Sequence, residues 1–85
     1  MIVDRFSAGL DDLSRKQQRD HVAVLRALSK MTRYSVFEAT ENDSIARTMD
    51  YIIKANLIRH TGGAFPWSNF EITDAGREII AKEAA

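Results

Sequence analysis

The sequence predicts an α+β domain: a three-helix core, a β hairpin belonging to a two- or three-stranded sheet, and a closing C-terminal helix. Three observations carry that prediction. Apolar residues recur at helical spacing in three successive segments between Ser14 and Leu57. Two short runs rich in strand-forming residues, Leu57–Thr61 and Asn69–Ile72, flank a Gly-Gly pair and an aromatic tip. Thr73 and Asp74 then read as a helix cap and a favourably charged first turn, ahead of the apolar pair Ile79 and Ile80.

Each element has a local reason. Residues 1–14 read as an N-terminal arm or short helix, because Phe6, Leu10 and Leu13 are helically spaced but Gly9 interrupts them; residues 15–85 read as the domain. The run Ser14–Thr32 predicts one long first helix, with His21, Leu25, Leu28 and Thr32 in line and Val22, Val24 and Met31 flanking them. A short second helix follows over Val36–Glu41, with Ser35 as its N-cap and Glu38 placed for a capping box. Asn42 or Asp43 caps the third helix, whose inner stripe is Ile45, Met49, Ile52 and Ile53. That helix ends near Asn56, a residue type second only to glycine for a left-handed cap. In the hairpin, Phe70 and Ile72 share a face, and Pro66, having no N–H for a ladder, belongs in the tip or at an edge.

The totals narrow the function classes. A chain of 85 residues makes one domain with a thin core, since so short a chain buries only about 60% of its unfolded surface. The absence of cysteine excludes disulfides, cysteine-based metal sites and thiol catalysis. No run approaches the ~20 apolar residues of a membrane span and none has the form of a signal peptide, so a cytoplasmic protein with no membrane contact is expected. Formal net charge is zero, which argues against gripping nucleic acid by bulk charge. The charge is unevenly spread, however: residues 15–33 hold six basic side chains against one acidic one.

Two runs resemble the winged helix-turn-helix superfamily, in particular the arsenic-repressor-like and multiple-antibiotic-resistance-repressor-like regulators. The first is DSIARTMDYIIKANLI. It is similar to the recognition helix of those families: a polar cap, a small apolar residue, Arg, spaced apolar residues, then a small residue, Gly, Leu and an aliphatic. Ser44, Ile45, Arg47, Met49, Ile52, Ala55, Asn56, Leu57 and Ile58 occupy these places, with Asn56 where the families usually have glycine. The second run, FEITDAGREII, resembles the strand and helix start that close the wing. Together they cover about half the chain. The resemblance implies a three-helix core, a two- or three-stranded wing with HTGGAFPWSN at its tip, and a C-terminal helix. It also implies sequence-specific binding of double-stranded DNA in transcriptional control, as a homodimer of bacterial or viral type; the length of 85 residues is expected to leave no room for an effector domain.

Candidate contacts follow. Given the inner stripe, the third helix turns Ser44, Arg47, Thr48, Tyr51 and Lys54 outward, with Asn42 at its start. Arg suits guanine, Ser and Thr suit several groups, and Asn suits adenine or phosphate. Arg59 and His60 at the base of the wing complete the candidate DNA-binding set. Asp43 and Asp50 lie near the same surface and would repel phosphate, which favours a plain solvated face. Arg15, Arg19, Arg26, Lys30 and Arg33 form a basic stripe on the first helix, read either as a solvated face or as contacts to phosphate or a partner. Phe65 and Trp67 alternate around Pro66 and so point the same way, either folding over the core or forming a protein interface. The wing tip has no basic residue between Arg59 and Arg77, so its aromatics favour protein over DNA.

No enzyme is expected. His21 faces the core as a structural residue, His21 and His60 have no metal-site spacing, and no nucleophile motif or phosphate loop is present. No cofactor, metal or small-molecule substrate is expected. The rival to DNA binding is a winged-helix protein-interaction module, an inhibitor or adaptor, that does not touch nucleic acid.

Overall fold

The computed structural model describes residues 10–84. The first nine residues, including the Phe6 and Gly9 of the expected arm, lie outside the described residues. A 3-10 turn over Leu10–Asp12 opens the fold. Leu10 is fully buried in the core and Leu13 packs against it, so residues 10–14 belong to the domain and its boundary moves N-terminal to the expected residue 15.

The long first helix expected over Ser14–Thr32 is two helices. Helix α1 spans Arg15–Gln18 and helix α2 spans His21–Leu28. Ser14 caps α1 in a reciprocal capping box: Gln17 N donates to Ser14 Oγ at 3.2 Å, and Ser14 N donates to Gln17 Oε1 at 3.0 Å. Asp20 has extended backbone, and its carboxylate accepts from Val22 N at 3.0 Å. A short polar side chain that bonds the backbone two residues on competes with helix continuation, and here it starts a new helix instead.

Strand β1 is Arg33–Ser35. Ser35 ends it and caps helix α3, Val36–Glu41, by accepting from Phe37 N at 3.2 Å. Asn42 caps helix α4, Asp43–Lys54, accepting from Ser44 N at 3.0 Å and Ile45 N at 3.3 Å. Asn56 ends the helix with φ +59°, the expected left-handed conformation. Strands β2, Ile58–Gly62, and β3, Trp67–Ile72, form the hairpin, and β3 also pairs with β1. The sheet is antiparallel throughout, in the order β1-β3-β2, with Ser35 opposite Trp67 and Ile58 opposite Ile72. Helix α5, Asp74–Ala84, begins at Thr73, whose hydroxyl accepts from Gly76 N at 3.2 Å and donates to Asn56 O at 2.6 Å. That hydroxyl therefore ties the start of α5 to the end of α4.

The core collects Val24, Leu25 and Leu28 from α2, Ile45, Met49 and Ile52 from α4, and Leu57, Ile58 and Phe70 from the hairpin. Ile79 and Ile80 pack α5 against it. Besides His21, described below, two stripe positions differ from expectation. Ile53 is 40% exposed, because α4 buries a narrower face than its apolar sequence allows. Thr32 is exposed, since the helix has already ended at Leu28. The chain is thus a small α+β domain with a three-stranded antiparallel sheet. Among the described residues, no helix is long and apolar enough to cross a membrane.

Candidate nucleic-acid interface

The break between α1 and α2 sets α1 against the N-terminal half of α4 and opens a cleft of about 580 Å³ between them. Its lining is Arg15, Arg19, His21, Asp43, Ser44, Arg47, Thr48 and Tyr51. Arg15 and Arg19, two residues of the basic stripe, therefore meet Ser44, Arg47 and Tyr51, three of the outward positions of α4. Three guanidiniums face one carboxylate, which leaves the cleft net positive. None of the three has an ion-pair or hydrogen-bond partner among the described residues. His21 is half-buried, and its ring lies 4.9 Å from that of Tyr51, tilted by 59°. It braces the cleft wall instead of sitting in the core.

A buried polar hub fixes the cleft's geometry. Gln18 is buried; its amide nitrogen donates to Leu13 O at 2.8 Å and its amide oxygen accepts from Asn42 Nδ2 at 3.3 Å. The Thr48 hydroxyl approaches both Gln18 O, at 2.5 Å, and Ser44 O, at 3.0 Å. Thr48 is only 6% exposed, so it is not on the outward face: α1 covers it, and its hydroxyl is committed to the backbone. Asn42 likewise commits its side chain to the α4 cap and to Gln18. Sequence reasoning missed Gln18 entirely, since a lone Gln in a four-residue helix has no periodicity to mark it. Ser14-x-x-Gln17 and Asp20 were legible cap signals that would have located the break.

The remaining candidates lie elsewhere. Lys54 pairs with Asp50 at 3.1 Å and does not line the cleft. Arg59 pairs with Glu71 at 2.5 Å across the hairpin. His60 Nε2 and the Tyr34 hydroxyl are 2.6 Å apart. Arg26 and Lys30 are exposed and away from the cleft, and Arg33 lies over the Trp67 ring, 4.4 Å from its centroid. The basic stripe is therefore divided: Arg15 and Arg19 join α4, whereas the other three do not. The division follows directly from the helix break.

The aromatics at the hairpin tip do not cover the core. Phe65 is 75% exposed and packs edge-on against Phe37 of α3, with ring centroids 5.5 Å apart. Trp67 contacts Arg33 instead, so the two aromatics have different partners. Val36 N donates to Pro66 O at 2.7 Å and ties the tip to the start of α3. Phe37 also lines a second cleft with Glu41 and Asn42, which shares Arg15, Asp43 and Ser44 with the first. Among the described residues, no cluster of three or more His, Cys, Asp or Glu could hold a metal ion. No protein-family model, curated protein or solved structure matches the chain.

Proposed function

We propose that the chain is a winged-helix domain that binds double-stranded DNA as a transcriptional regulator, two copies acting together on a palindromic site. The observation that carries this reading is the convergence of Arg15 and Arg19 with Ser44, Arg47 and Tyr51 on one net-positive cleft. The element order and the β1-β3-β2 sheet support it, with α3 and α4 as the helix-turn-helix and β2–β3 as the wing. Arg47 and Ser44 then reach base edges, while Arg15 and Arg19 neutralise phosphates and release counterions. Two-fold pairing doubles the few base pairs that one domain reads.

The test is selection from a duplex pool with a randomised core, followed by fluorescence anisotropy on the selected site. Arg47→Ala should weaken binding by about 1–3 kcal/mol if it reads a base, and Arg15→Ala should flatten the salt dependence. Trp67→Ala should leave affinity per monomer nearly unchanged. Failure of the pool to enrich, or an Arg47→Ala variant that binds like the parent, sinks the reading. One observation favours a second reading, a protein-interaction module: Phe37, Phe65 and Trp67 are exposed together at the tip of the hairpin and the start of α3. Under it, Trp67→Ala changes self-association or partner binding while no duplex is bound at all.

A further inference from the structure

We infer that the cleft between α1 and α4 receives one unpaired nucleotide, with its base against Tyr51 and its flanking phosphates among Arg15, Arg19 and Arg47. This rests on the nucleic-acid reading above and extends it from paired DNA to DNA or RNA that carries an unpaired base.

The cleft is concave and has walls on two helices. A paired base offers only its edge, which Arg47 and Ser44 can meet in a groove, and its ring stays in the stack outside the cleft. A base outside the stack can, and about 580 Å³ falls within the roughly 300–1,000 Å³ usual for small-molecule sites. Tyr51 is 53% exposed, and its ring is braced by His21 at 4.9 Å. It is therefore a held aromatic surface with free area, as base stacking requires. The guanidiniums supply the other half of the recognition. Arg47 stands one helical turn before Tyr51 on α4, so that a phosphate on Arg47 and a base on Tyr51 are separated by a span comparable to one ribose. Arg15 and Arg19 face them from α1, and none of the three is already paired among the described residues. The single carboxylate of the lining, Asp43, lies one turn before Arg47 and two turns before Tyr51, so the lining stays net positive and its acidic end is the one farther from Tyr51.

The experiment compares four probes by fluorescence anisotropy at physiological ionic strength: a fully paired DNA hairpin, the same hairpin with a one-nucleotide bulge, and the RNA counterpart of each. The bulged form of at least one nucleic acid should bind roughly ten-fold more tightly than its paired form, the scale of one base–aromatic stack. Tyr51→Ala should abolish that bulged-over-paired gain, whereas Tyr51→Phe should keep it. Tyr51 lies outside the core, so both variants should fold, with circular dichroism as the check. Whichever sugar gives the larger gain names the source of the nucleotide. Equal binding of paired and bulged probes in both nucleic acids, or a gain that survives Tyr51→Ala, overturns the inference while duplex recognition stands. Binding of none of the four probes overturns the inference, and the duplex reading is then decided by the pool selection above.

Discussion

Replacing Gly76 by alanine should destabilise the protein, although helix propensity points the other way. Gly76 is the third residue of α5, where Ala is intrinsically better than Gly by about 1 kcal/mol. An added Cβ, however, would overlap the Leu57 carbonyl oxygen and come within 2.8 Å of Ile72 Cγ2. Neither neighbour can yield cheaply. The Leu57 carbonyl follows the left-handed Asn56 and accepts from Thr73 N at 3.0 Å, and Ile72 packs against the core. Forcing a methyl into such a contact costs about 1–3 kcal/mol, and pushing α5 away would weaken the Thr73–Leu57 hydrogen bond, worth about 0.5–1.5 kcal/mol. After the propensity gain is subtracted, the net loss is about 0.5–3.5 kcal/mol. Urea unfolding followed by circular dichroism and by Trp67 fluorescence should show a lower midpoint with an unchanged slope. A midpoint equal to or above the parent's would refute the close approach of α5 to Leu57.

Leu28 is fully buried between α2 and α4, so Leu28→Ala should lose about 2–5 kcal/mol of unfolding free energy; a much smaller loss would mean that the helix phase is wrong. At Asn56, with φ +59°, glycine should be neutral or slightly stabilising and valine worse by about 1–2 kcal/mol, and equal midpoints for the two variants would contradict the left-handed cap. Burial raises the Tyr34 phenol above its usual value of 10.0, against a smaller opposing effect of the Ser68 side chain. The neutral phenol is then favoured by folding: its contribution is complete below the unfolded pKa and is lost as pH rises through the folded one. The alkaline decline in stability should therefore be shallower in Tyr34→Phe, and parallel pH profiles for variant and parent would disprove this.

Much of the fold was legible because it is local. Ser35, Asn42, Asn56 and Thr73 each mark a helix boundary through hydrogen bonds or backbone preferences that reach only a few residues, and all four act where their sequence neighbours predict. The inner stripe of α4 was equally readable at Ile45, Met49 and Ile52, because a 3.6-residue period needs no knowledge of what it packs against. The candidate site was legible only in pieces. Ser44, Arg47 and Tyr51 were placed on one helix and Arg15 and Arg19 on another, but nothing local says that the two helices touch.

Tertiary structure decided that contact, and with it the fate of individual side chains. Thr48 and Ile53 flank the apolar stripe of α4 on opposite sides; Thr48 is buried because α1 covers it, whereas Ile53 is left 40% exposed. Leu10 enters the core for the same reason, since a short apolar segment is buried or not according to where the chain folds back. Strand β1 exists because β3 offers an edge to pair with, a non-local condition that three residues cannot encode. The length of Gly76's side chain is likewise set by Leu57, nineteen residues earlier in sequence and in contact only once α5 has docked. Sequence by itself determines what short-range hydrogen bonding and periodicity determine. Which apolar faces find partners, and which charges are gathered into one cleft, depends on contacts between distant segments and is settled only when they pack.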